Sequence, residues 1–337
     1  MPYSANEAYY RRVMVSTGLA LLVFLLLLNL TGLAQSGAGV LLGLLSLSPV
    51  AADICYQLFY AVCYLLSFML PVAVLRWSIR RAGYRYLPMK TELRLTPLLF
   101  PIVLGGIVLI WAQSYLNSAL VSIFDYASFS AEVIWQSSGA PEGYQIVLEF
   151  IVMCLVPAIC EEFLFRGAIL TNCLPFGRIN AILISALLFS LMHQNAGQIL
   201  YAFAAGIFLG VVYERTGSIW ACFFLHLMNN FASTMQSVLG SAAGNGLSGV
   251  AAMALEAALC VGGVLCLAYL VLRLAPGRPD FREGVFGRSV PASDAWAACP
   301  IPARRTVRLF LNFPMTLFLS LCVLQIATLL LLSLSYG

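Results

Sequence analysis

The chain has 337 residues, of which 61% are hydrophobic and only 9% charged, with a formal net charge of +4. A soluble globular domain carries about 25% charged residues, so a soluble pair of domains is excluded and the composition predicts an integral membrane protein. The small positive excess gives no support to a nucleic-acid partner; the partner that composition implies is the lipid bilayer.

In lipid a segment must satisfy its own backbone, which predicts helices. Nine apolar stretches approach the roughly 20 residues needed to cross the hydrocarbon. They fall near 13–34, 55–75, 96–116, 144–166, 179–196, 198–213, 218–238, 248–270 and 309–334. The expected fold is all-α: a polytopic transmembrane bundle of about nine spans. The first stretch follows Arg11 and Arg12 and is longer than a signal-peptide core, so it is expected to be an uncleaved anchor. The run at 40–48 is too short to span and is expected at the interface. Lys and Arg fall before stretch 1, between stretches 2 and 3, 4 and 5, 6 and 7, and 8 and 9, with Arg166 at the edge of stretch 4. The positive-inside rule then puts those loops and the N-terminus in the cytoplasm. A bacterial plasma membrane is the expected location.

The chain divides into N-terminal helices and loops (1–143), a central core (144–240) and C-terminal helices (241–337) with a basic cytoplasmic loop at 274–307, expected to be a flexible linker. The outer loop 125–143 is acidic and aromatic and carries no catalytic signal. The ten cysteines have neither zinc-site nor CxxC spacing and are read as small apolar packing residues. Ala202, Gly206 and Gly210 share a helix face that allows close helix approach.

Unusual chemistry is confined to the central core. A charge at the bilayer centre costs about 2.5–3.5 kcal/mol on insertion scales and usually faces a cavity or a partner. The ionisable residues in apolar stretches are Glu149, Glu161, Glu162, Arg166, His193, His226 and Glu256, and they include the chain's only two histidines. Glu149 and Glu256 are read as packing or hydrogen-bonding residues. In "EEFLFRG", Glu162 and Arg166 are four apart and can pair on one helix face, while Glu161 points about 100° away without a local basic partner. Gly167 is expected to help close that helix. In "FSLMH", Phe189 packs beside His193. In "HLMNN", His226 and Asn230 share a face, although Asn229 is close enough to substitute.

A carboxylate can take a proton from water, and an imidazole can position that water or shuttle the proton. A second imidazole and an amide can donate to a developing oxyanion. Glu161 with His193 suits the first task, and His226 with Asn230 the second. Glu162, Arg166 and Phe189 take supporting places. The competing chemistry is a zinc site formed by Glu161, His193 and His226, which would leave a water position open. Direct glutamate catalysis without a cofactor is preferred. Two readings from other classes remain: a proton-coupled transporter using the same buried groups, and a noncatalytic membrane scaffold.

The three segments "EEFLFR" (161–166), "FSLMH" (189–193) and "HLMNN" (226–230) match, in order, the patterns EExxxR, FxxxH and HxxxN/D. The chain over about 145–240 resembles the CPBP family, which groups CAAX proteases, bacteriocin-processing enzymes and abortive-infection proteins. The stretch 202–231 resembles the family along its length. The resemblance implies an all-helical intramembrane endopeptidase acting on small membrane-associated or lipidated peptides. It assigns catalysis to Glu161, with His193, His226 and Asn230 around the water and oxyanion. Members of the family have been described both as metalloproteases and as glutamate proteases. The ninth stretch and the basic loop are extra to the usual core, and a membrane-protein partner for them is unidentified.

Overall fold

A computed structural model describes residues 4–45, 47–91, 100–108, 110–112, 143–242, 247–273 and 301–336. Helix accounts for nearly all of them and no strand occurs among the described residues. The expected loop 125–143, apart from Gly143 at the start of a helix, and most of the basic loop (274–300) lie outside the described residues.

The first two helices form a long hairpin. α1 spans Ala5–Leu44 and begins in a capping box: Ser4 Oγ accepts from the Glu7 amide, and a Glu7 carboxylate oxygen accepts from the Ser4 amide at 2.9 Å. Those bonds satisfy two of the orphan groups at a helix start. α2 spans Pro49–Arg81, capped by Ser48 with proline in its first turn. Within the run at 40–48, residues 40–44 continue α1 to its end, and Ser48 caps α2. A run of apolar residues too short to span alone is continuous with the helix before it.

α3 is the short helix Phe100–Ala112. α4 is a continuous helical run that changes register along its length. It passes through Gly143–Glu149, a π-helical stretch Phe150–Leu155, Val156–Glu162, a second π-helical stretch Phe163–Leu170, Thr171–Cys173 and a 3₁₀ turn Leu174–Phe176. The helix does not close at Gly167, contrary to the sequence expectation. Gly167 stays helical because it is needed for space: a Cβ there would lie 3.1 Å from Met89 Sδ. Termination falls ten residues later at Gly177, whose φ of 145° suits a residue without a Cβ.

α5 (Arg178–Met192) and α6 (Ala196–Thr216) form a second hairpin around the turn 193–195, where the Asn195 side chain caps α6. Their close approach uses the small-residue face read from the sequence. A Cβ on Gly206 would stand 2.9 Å from Ala186 Cα, and one on Gly210 would stand 3.1 Å from an Ile182 methyl. α7 (Ile219–Ala242) and α8 (Leu247–Arg273) follow. A short helix α9 (Ala303–Phe310) leads into α10 (Phe313–Tyr336), which returns to α1, where Gly18 meets the backbone of Pro314 and Met315. Residues 303–307, expected within a flexible linker, are thus the start of a helix.

By length and composition, three helices among the described residues can cross a membrane: Ala5–Leu44, Pro49–Arg81 and Gly197–Thr216. The α9–α10 pair, bent by 76°, makes a fourth if counted as one span. These apolar helices mark an integral membrane protein.

One end of the bundle is tied by polar contacts. The irregular segment 82–91 crosses it. The Asn172 side chain accepts from the Leu87 amide at 2.8 Å and donates to the Leu87 carbonyl at 3.1 Å. The Ile219 amide donates to the Lys90 carbonyl at 3.0 Å, and the Trp220 indole N–H to the Thr91 carbonyl at 2.8 Å. Tyr9 stacks on Tyr84 and meets Phe176 edge-on. Arg305 pairs with Glu7, Arg178 with Glu214, and Arg12 donates to the Ser78 carbonyl. Arg12, Arg178 and Arg305, from three of the basic segments read from the sequence, therefore lie at this end.

Candidate active site

The site forms where α4, α5 and α7 meet the middle of α2. Glu161 and Glu162 end the middle α-helical stretch of α4, just before its second π-helical stretch, and both are buried. π-turns inside helices frequently accompany functional sites.

Glu162 and Arg166 form the expected ion pair, Oε1 to guanidinium at 2.9 Å, with both side chains fully buried. The same Oε1 lies 2.8 Å from His226 Nδ1. Glu162 therefore joins α4 to α7, a link that spacing within α4 did not predict. Arg166 also donates to the Gly206 carbonyl at 3.3 Å, and its guanidinium lies 4.3 Å from the centre of the Phe189 ring. That stacking suits a planar cation over an aromatic face.

Glu161 is turned away from this network. Its Oε1 accepts a hydrogen bond from the Tyr64 hydroxyl at 2.6 Å. Its Oε2 is buried without a hydrogen-bond partner among the described residues and lies 3.8 Å from His226 Nε2. That distance is too long for a direct hydrogen bond. Tyr64 was absent from the sequence reading. The available signal was the row of tyrosines at 56, 60 and 64, which places three hydroxyls on one face of an apolar helix.

Phe189 is the common packing element. Its ring meets Phe165, His193 and His226 edge-on, with centroids at 5.4, 5.1 and 6.0 Å. His193 ends α5, and its Nδ1 is 2.9 Å from the Phe189 carbonyl. A carbonyl only accepts, so Nδ1 carries the proton and Nε2 is the free nitrogen. By the same argument the Glu162 carboxylate fixes a proton on His226 Nδ1.

The asparagines bond to different elements, although Asn229 also donates to Asn230 Oδ1 at 3.4 Å. Asn230 donates to the Met153 carbonyl at 3.4 Å, within the first π-helical stretch of α4. Asn229 is buried and exchanges hydrogen bonds with the Tyr201 hydroxyl. The expected face shared by His226 and Asn230 exists on α7, but their side chains bond to different parts of α4. One N–H of the Asn230 amide remains available beyond the Met153 bond.

A shared zinc position for Glu161, His193 and His226 does not emerge from the donor geometry. Among the described residues no three His, Cys, Asp or Glu side chains gather as a ligand set. Cys154, Cys160, Cys173 and Cys222 are buried free thiols. Glu149 is half-buried on α4, and the side chain of Glu256 lies outside the described residues.

Residues 143–232 match the family model described as type II CAAX prenyl endopeptidase Rce1-like. This segment is similar to an Rce1-like domain. It contains all three sequence patterns, which is consistent with the CPBP family. No curated protein and no solved structure matches the chain. The Rce1-like match covers α4 to most of α7. Tyr64 on α2, which holds Glu161, lies outside the Rce1-like segment.

Proposed function

We propose that the chain is an intramembrane endopeptidase that hydrolyses peptide bonds of small membrane-associated or lipidated peptides, with Glu161 as the general base. The observation that carries this reading is the asymmetric Glu161 carboxylate. One oxygen is held by Tyr64, and the other is buried, unpartnered and faces His226.

In the proposed reaction, water donates a proton to Glu161 Oε2 as its oxygen attacks the scissile carbonyl carbon. His193, held by Phe189 with Nε2 free, positions that water or relays its proton. His226 and the remaining N–H of Asn230 donate to the oxyanion, a role for His226 that requires a proton on Nε2 as well as on Nδ1. The carbon–nitrogen bond then breaks, and the departing amine takes the proton returned from Glu161. Glu162, Arg166 and Phe189 hold the two helices that carry these groups.

Direct glutamate chemistry is the preferred reading, and no step is routed through a metal. The basic end of the bundle is assigned to the cytoplasm, with the N-terminus there, and the membrane to a bacterial plasma membrane. The test is a library of plain and prenylated membrane peptides incubated with protein in vesicles and read by mass spectrometry. Wild type is expected to create new termini, with yields about 100-fold lower for His193→Ala, the usual size of an acid–base contribution. Equal yields, or no cleavage by either protein, would sink the reading.

A further inference from the structure

The tyrosine that holds Glu161 belongs to a longer polar face. Asp53, Tyr56, Gln57, Tyr60 and Tyr64 recur at helical spacing along the half of α2 away from the basic end. An apolar membrane helix has no packing need for such a row, and polar groups at this depth commonly line a path or a cavity. The Tyr60 and Tyr64 rings are 5.9 Å apart, and all three tyrosines are only partly buried.

The row ends in a wide-mouthed, open cavity of roughly 440 Å³ between the tips of α1 and α2. Its wall on α1 is apolar or backbone, from Gly39, Leu42 and Gly43, while α2 contributes Asp53, Tyr56 and Gln57. Gln57 is 3% exposed, and its amide bonds to none of the described residues. Asp53 Oδ2 is buried without a hydrogen-bond partner among the described residues. Residues 13–75 contain no Lys or Arg, so neither helix of the hairpin supplies a counter-charge here. An unpaired buried carboxylate oxygen is costly, and a carboxylate, an amide oxygen and an aromatic ring together suit a cation.

We propose that this cavity is a substrate subsite that receives a cationic side chain, Lys or Arg, of the peptide, with the intervening chain extended along the tyrosine row. This rests on the endopeptidase reading of Glu161. Asp53 precedes Tyr64 by about 16 Å of helix at 1.5 Å per residue. An extended peptide covers that in about five residues at roughly 3.3 Å each. The substrate is therefore a membrane peptide with a basic residue about five positions from the bond that is cut.

The test uses full-length protein in phosphatidylcholine vesicles and peptides carrying one lysine moved stepwise along both sides of the cut bond. Binding of the same peptides to Glu161→Gln is measured in parallel. Wild type is expected to prefer lysine about five residues from the cut by about ten-fold, the scale of one charge-assisted hydrogen bond. Asp53→Asn is expected to abolish the preference, and Asp53→Lys to transfer it to a glutamate at the same position. Cleavage without positional preference, or a preference that survives Asp53→Asn, overturns the subsite and leaves the endopeptidase reading standing. No cleavage with Asp53-dependent lysine binding supports the cation site and overturns the endopeptidase reading. No cleavage and no such binding overturns both. A dependence on added phosphatidylethanolamine in place of the peptide's lysine overturns the peptide subsite in favour of a lipid amine.

Discussion

At the scale of single residues, the site is two adjacent carboxylates with different surroundings. Glu162 receives Arg166 and His226 on one oxygen and is sealed from solvent. Removing one partner of a buried ion pair strands the other charge and typically costs about 3–5 kcal/mol. Arg166→Leu is therefore expected to lower the melting temperature sharply, measured by thermal unfolding in detergent; Arg166→Leu combined with Glu162→Leu should recover part of the loss. A melting temperature unchanged by the single substitution would contradict a structural ion pair. Among the described residues Tyr64 is the one hydrogen-bond donor to Glu161. Tyr64→Phe keeps the ring that stacks on Phe68 at 4.8 Å and loses only the hydroxyl. The expected result is a kcat about ten-fold lower with KM and melting temperature near wild type, since one hydrogen bond to a charged group is worth about 1.5–3 kcal/mol. A change confined to KM would argue that Tyr64 serves binding.

At the scale of elements, the α5–α6 hairpin sets where Phe189 and His193 stand relative to α4. Gly206 permits this approach, and its carbonyl also accepts from Arg166. Gly206→Leu forces side-chain atoms into Ala186 and is expected to destabilise the fold by about 1–3 kcal/mol, the usual cost of overpacking. Activity should fall further than stability, because α5 carries His193; a folded variant with full activity would show that this packing does not position the site. The glycine face was legible in the sequence because small residues four apart have few other uses in a membrane helix. The Glu162–Arg166 pair and the contact between Phe189 and His193 were legible for a similar reason: both are local, and helical periodicity alone defines them. Tyr64 and the division between Asn229 and Asn230 were not, because they depend on how separate helices rotate against one another. The end of α4 was misread at Gly167, since a glycine placed for close packing and one placed for a turn look alike in sequence. Their difference is steric, and it appears at Met89 for Gly167 and in the positive φ of Gly177.

At the scale of the whole molecule, polar ties hold distant parts of the chain around the core. The segment 82–91 is bonded to Asn172, Tyr213, Ile219 and Trp220, and α10 returns to pack on α1. Glu7 and Arg305 join the two ends of the sequence. Glu7 precedes the apolar part of α1, and its hydrogen bond with Arg305 holds its carboxyl below the ordinary glutamate value of 4.5. A depressed folded-state value means that this contact stabilises the fold above that ordinary value and is lost as pH falls through the folded one. Wild type is therefore expected to lose more thermal stability than Arg305→Gln between pH 6 and pH 3; parallel losses would show that the tie contributes nothing. The sequence placed its basic segments in a common set of loops, and their contacts around 82–91 give that charge pattern a physical end of the bundle. The central claim remains chemical and rests on Glu161. It is tested most directly by the kcat for peptide hydrolysis of metal-depleted wild type and Glu161→Gln, both reconstituted in vesicles. The account predicts that the chelated wild type keeps its activity and that Glu161→Gln, folded and melting near wild type, loses about 10³-fold, within the range of one general base. Hydrolysis by Glu161→Gln at the wild-type rate, or activity that vanishes on chelation and returns with zinc, would contradict it.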